Sequence, residues 1–239
     1  MAFLHDGAAR QPFIRVPPVV IWLILVLAAA YVYTHEFLTE KQWVQVSFSY
    51  GFVPARYSAG FIAATGLNPG SWFDRALPFV SYIFLHANIT HLLINSIWFL
   101  AFGPVVARRF GTLLFIVFFL VCGVAGAATH LVCNWGSASP VIGASGAISG
   151  LMAASFRMLP VSGESGAIPL APILSPRILV WSSLYIAVNV VTGLTGYGSG
   201  AEIGLVAWQA HLGGFAAGLL LAGLFDTIAP GHVLSRHAA

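Results

Sequence analysis

The chain has 239 residues, 59% of them hydrophobic and only 7% charged, against roughly a quarter charged in an ordinary soluble domain. Ten basic and seven acidic residues give a formal charge of +3 and are scattered, with no run that could form a nucleic-acid stripe; nucleic-acid binding is excluded on that ground. A chain of this composition has the lipid bilayer as its main solvent.

An ionised side chain at mid-bilayer costs at least about 2.5 kcal/mol, so charged residues punctuate the spans. Segment 1–15 carries Arg10 and Arg15 and reads as a cytoplasmic N-terminus. The apolar stretch that follows, 16–35, is long enough to cross and has no convincing small-residue cleavage site, which makes it a retained anchor rather than a signal peptide. Region 37–80 mixes charges with Gly and Pro, as in Gly66-Leu67-Asn68-Pro69-Gly70. It is expected to lie in the external interface as a long, partly apolar loop rather than to cross.

A second span falls between Arg75 and Arg108, ending near Val106. Segment 110–156 holds 47 residues without a single Asp, Glu, Lys or Arg, more than twice the roughly 20 needed to cross a bilayer. Asn134, Trp135, Gly136 and Pro140 break it into a hairpin of two spans. Cys122 and Cys133 lie in its first arm, about 16 Å apart on a continuous helix, too far for a disulfide. One further span lies between Arg177 and Glu202 and one between Glu202 and Asp226, for six in total, followed by a tail over 229–239.

An even number of spans puts both termini on one side. If that side is cytoplasmic it collects seven of the ten basic residues, leaving Lys41, Arg56 and Arg75 outside; the positive-inside rule favours this orientation. No repeat or internal boundary is evident, so 1–239 reads as a single all-α domain, an integral membrane protein of six transmembrane helices.

Polar groups inside such spans must be paired or must face a cavity. His91 and Asn95 stand four residues apart on the second span and share one helical face. On the fourth, Gly143-Ala144-Ser145-Gly146 follows Pro140, and its glycines permit a kink or a close neighbour. On the sixth, His211 precedes Gly213, Gly214 and Gly218, a small-residue face for tight helix contact. The second, fourth and sixth spans all run from outside to inside, which sets His91, Ser145 and His211 at a common depth of order 10 Å below the external surface. That is shallow enough for a cavity open to water.

Each feature alone has a plainer reading. The glycine-serine motif also suits helix packing, and an intramembrane His/Asn pair also suits a solute path or a metal. Without clustered carboxylates or thiolates, His86, His91 and His211 make a poor metal site, and none is expected. Together, a serine, a histidine that could take its proton and two donors for a developing oxyanion are the parts of an acyl-transfer centre. Asp226, about 22 Å further down the helix from His211, cannot orient the base, so the expected engine is a Ser-His dyad.

The motifs His86-x4-His91-x3-Asn95, Gly143-x-Ser145-Gly146 and His211-x2-Gly214-x3-Gly218 resemble those of the rhomboid intramembrane serine proteases, over about residues 75–226. The resemblance implies a six-helix rhomboid-like bundle with Ser145 as nucleophile and His211 as base. The oxyanion would be bound by His91, Asn95 and the Ser145 N–H, with Gly143, Gly146, Gly214 and His86 in support. It also implies that the fourth helix starts near Ser145, after an extended segment, whereas the sequence cues alone start it near Pro140. Three positions depart from the family pattern: Leu77-Pro78 stand where a Trp-Arg pair is common, Ala107 replaces a glutamate, and Ser149 replaces an aromatic that would pack on the base.

The function so implied is endoproteolysis of a transmembrane segment of a membrane-protein substrate near the external face, in the plasma (inner) membrane if the source is bacterial. It requires no metal, nucleotide or cofactor. The competing readings are a catalytically inactive rhomboid-like protein that binds membrane clients and a small membrane transporter.

Overall fold

The computed structural model describes residues 16–66, 68–158, 169–196 and 206–229. The N-terminal segment 1–15, Glu202, and the tail beyond Ala229 therefore lie outside the described residues. The chain is helical: α1 (Pro18–Glu36), α2 (Glu40–Tyr50), α3 (Ala59–Thr65), α4 (Trp72–Ala76), α5 (Pro78–Ser81), α6 (Ile89–Phe110), α7 (Thr112–Cys133), α8 (Ser145–Met158), α9 (Pro176–Thr195) and α10 (Trp208–Ile228). Among the described residues, α1, α6, α7, α9 and α10 are long and apolar enough to cross a membrane. The remaining member of the bundle, α8, has only 14 residues, most of them buried.

The short helix is central. It packs against α6, α7 and α10, and a core of Phe99, Phe110, Phe115, Phe118, Phe119, Leu151 and Phe225 fills the space around it. Gly214 and Gly218 of α10 rest on the backbone carbonyls of Gly146 and Gly150 on α8, and Gly150 in turn receives the Cys122 side chain of α7. Between helices in lipid the backbones must approach closely to gain dispersion contacts, which small residues allow. By contrast α9 is peripheral: Ile178, Ser182 and Gly193 are its buried residues, and Val180, Leu184, Val188 and Val191 face outward.

At the end of the bundle away from Ser145, Asp226 of α10 accepts from Arg109 Nε at 2.5 Å and Nη2 at 2.9 Å. Arg157 donates from Nε to the Ala171 carbonyl at 3.0 Å and from Nη1 to that of Leu219 at 2.7 Å. The charges flanking α6, α8 and α10 are thus engaged rather than left to lipid. Asp226→Ala is expected to cost about 1.5–3 kcal/mol, the range for hydrogen bonds to charged groups, read as a lowered Tm in detergent with the site geometry intact.

The described residues of 37–80 contain several short helices. Thr39 and Gln42 form a reciprocal capping box at the start of α2, which meets two orphan N–H groups at once. Ser71 and Asp74 do the same for α4, and the hydrogen bonds from the Ser71 hydroxyl and backbone hold the Asp74 carboxyl below its usual range. The Arg56 guanidinium donates to the Phe48 and Ser49 carbonyls at the C-terminal end of α2. Tyr57, its hydroxyl pushed up to about 12 by burial, remains a donor and bonds the Arg75 carbonyl at 2.6 Å. Phe52, Tyr57, Phe79 and Tyr82 stack into one aromatic cluster, which docks the segment on the bundle.

Candidate active site

The approach to Ser145 is not helical. Gly136, at φ 80°, turns the chain out of α7, and 137–144 is irregular apart from one isolated bridge at Val141. Phe52 and Val141 exchange both backbone hydrogen bonds, at 2.9 and 2.8 Å, and the Gly143 N–H donates to the Tyr82 carbonyl at 2.9 Å. Gly143 adopts φ +120°, a conformation that L side chains rarely adopt, and a Cβ there would lie 2.6 Å from His91 Nε2. The position requires glycine twice over, for its dihedral and for its closeness to the imidazole.

α8 begins at Ser145, as the family pattern implies and later than the sequence cues alone would place it. The physical reason is that 140–144 spends its hydrogen bonds on the 37–80 segment and on Tyr82, which a sequence window cannot register. Ser145 sits in the first helical turn, where N–H groups have no intrahelical acceptor and the helix dipole favours negative charge.

Three helices converge on this turn. His211, at the start of α10, places Nε2 2.8 Å from Ser145 Oγ. From α6, His91 and Asn95 face Gly143, with Asn95 Nδ2 3.6 Å from where its Cβ would be. The buried His86, whose ring packs edge-on against His91, lies with Nε2 3.0 Å from Asn95 Nδ2. An amide nitrogen only donates, so His86 Nε2 accepts and orients the amide while leaving it a second N–H. Gly146 and Gly214 let α8 and α10 approach, as described above. Ser145, His91 and His211 each keep partial exposure, whereas Asn95, Gly143 and Ala144 are buried. A hydroxyl, a neighbouring imidazole and two further polar side chains thus surround one backbone turn, an arrangement chemically able to transfer a proton from a hydroxyl and to hold an oxyanion.

Two residues that the sequence reading passed over join the cluster, both from α9. Asn189 Oδ1 lies 2.8 Å from His211 Nδ1. The Tyr185 hydroxyl donates to Ser149 Oγ at 2.5 Å, and Ser149 donates to the Ser145 carbonyl at 2.6 Å. The signal was present: Tyr185 and Asn189 stand four residues apart in a charge-free span, the same spacing that marks His91 and Asn95.

The Rhomboid domain family model matches residues 74–226, which contain every element of this cluster. No curated protein matches the chain. The family match covers well over half of the sequence and takes in α6 to α9 and nearly all of α10, the helices around the serine; the chain is a membrane protein of the rhomboid family.

Proposed function

We propose that this protein is an intramembrane serine endopeptidase that cleaves transmembrane segments of other membrane proteins near the external face. The observation that carries the reading is the 2.8 Å contact between His211 Nε2 and Ser145 Oγ at the start of a central helix, with His91 and Asn95 turned toward the same backbone.

In this mechanism a substrate helix enters sideways between α6 and α9 and unwinds locally to expose one peptide bond. His211 takes the Ser145 proton as oxygen attacks the carbonyl carbon. The oxyanion is met by His91, Asn95 and the Ser145 N–H. Collapse of the intermediate passes the proton from His211 to the leaving amine, and water from the external side repeats the sequence on the acyl-enzyme. The unwinding step favours substrates with Gly or Pro near the external end of their span, where freed backbone groups meet water. In this reading the termini face the cytoplasm, and the membrane is the plasma (inner) membrane if the source is bacterial. No metal or cofactor takes part.

The test is reconstitution in proteoliposomes with single-span model substrates that differ only in a Gly-Pro pair near one end. Expected are two fragments of the helix-weakened substrate, none with Ser145→Ala. Uncleaved substrate that co-purifies with the folded parent across such a panel would instead support a client-binding, non-proteolytic protein.

A further inference from the structure

A neutral imidazole carries one proton on one of two nitrogens, and only one of the two tautomers can accept from a serine hydroxyl through Nε2. The surroundings of His211 decide which. Asn189 Nδ2 donates to the Tyr185 carbonyl at 2.9 Å, one turn earlier on α9. An amide nitrogen cannot accept and an amide oxygen cannot donate, so this bond fixes the orientation of the Asn189 side chain and leaves Oδ1 toward His211. Oδ1 lies 2.8 Å from His211 Nδ1 and can only accept there. The proton is therefore on Nδ1, and Nε2 turns a lone pair to Ser145 Oγ at 2.8 Å.

The placement of Asn189 supports a purpose beyond packing. It sits on α9, the least buried of the long helices, where an amide is costly unless engaged. Both ends of that amide are engaged, one of them by the proposed base. The adjoining Tyr185 ring stacks on Phe215 of α10 at a centroid distance of 4.3 Å, which holds the two helices in register at the level of the bond.

We propose that Asn189 is a positioning residue: its side-chain carbonyl holds His211 in the tautomer that can take the Ser145 proton, so the dyad on α8 and α10 is completed from α9. The inference rests on the protease reading above. As His211 becomes an imidazolium during attack, the Nδ1–H bond to Asn189 becomes charge-assisted and tightens, so the contact favours the transition state over the ground state. The other titratable groups whose charge His211 meets are His91 on α6 and His130 on α7. Neither hydrogen-bonds Nδ1 in the described geometry, so they cannot replace the amide.

Two variants and two readouts test this. Asn189→Ala removes the acceptor; kcat is expected to fall about 10- to 100-fold, the worth of a hydrogen bond to a charged group, with KM unchanged and the acidic limb of the pH–rate profile moved to lower pH. Asn189→Asp keeps the shape and supplies a carboxylate; the acidic limb is expected to move the opposite way, to higher pH, with activity retained on the alkaline side. Nitrogen NMR of histidine-labelled protein, with His211→Ala identifying the resonance, is expected to show a protonated Nδ1 and a bare Nε2 in the parent and a population of the other tautomer in Asn189→Ala. An active parent whose Asn189→Ala variant keeps its kcat, pH limb and tautomer would overturn the positioning role alone. A folded parent that cleaves nothing, and whose Ser145 does not react with a fluorophosphonate, would sink the protease reading and this role with it. Should Asn189→Ala fail to fold, the near-isosteric Asp variant and the parent NMR spectrum decide.

Discussion

Ser145→Ala and His211→Ala are each expected to lower turnover by a factor on the order of 10^4 to 10^6, the scale seen when members of a serine-histidine unit are removed singly. The two losses should not add, because either change removes the same proton transfer. Stability should barely move: the Ser145–His211 contact is a single hydrogen bond, worth about 0.5–1.5 kcal/mol net. Asn95→Ala is expected to lose less, about 10^2- to 10^3-fold in kcat, as for one oxyanion donor. The measurement is steady-state cleavage in proteoliposomes alongside thermal unfolding. Residual activity in Ser145→Ala near the parent level would assign the nucleophile elsewhere, and a collapse of Tm in that variant would make the serine a structural group.

The second large effect is on folding. Gly218→Val on α10 is expected to cost more than about 3 kcal/mol, at or beyond the upper end of the usual range for overpacking, and to leave little folded protein by size-exclusion chromatography. A Cβ at 218 meets the Gly150 carbonyl, and at 214 the Gly146 carbonyl. These are backbone atoms of a buried helix and cannot rotate away. Only separation of α8 from α10 relieves the clash, and the same separation would withdraw His211 from Ser145. Gly66→Ala at the tip of α3 meets no neighbour within 4 Å and serves as the control: its φ of +68° makes the change locally strained, but no helix contact is lost. Equal losses of folded protein from the two substitutions would count against helix contact as the cause.

The charge-free intervals of the sequence located the long helices closely. The interval ending at Glu36 became α1 (Pro18–Glu36), and that ending near Arg108 became α6 (Ile89–Phe110). This works because lipid penalises each charge wherever the chain folds, so the punctuation survives every tertiary rearrangement. The interval 110–156 was divided correctly in number but not in shape. Its second helix is 14 residues long and starts at Ser145, because the preceding residues pair with Phe52 and Tyr82, partners distant in sequence.

The 37–80 segment exposes the same boundary from the other side. Its glycines and prolines read as punctuation, yet Thr39, Ser58 and Ser71 each cap a short helix, and the aromatic cluster around Phe52 fastens those helices down. Capping is a local code and was legible; the docking that makes five- to eleven-residue helices persist is not, since isolated helices so short are marginal in water.

By itself the sequence determined that the chain lives in a membrane, marked out the intervals that became the five long apolar helices and the shorter α8, and singled out His91, Asn95, Ser145 and His211 as polar residues within them. Those conclusions depend on quantities local to a residue or a helical turn: transfer cost, periodicity and side-chain chemistry. Only the tertiary structure decided that Asn189 reaches His211, that Asp226 belongs to Arg109, and that Gly214 and Gly218 lie on the α8 backbone. Each of these joins residues on different helices, and which helix faces meet depends on how all the small and large side chains pack together, a condition no single span carries.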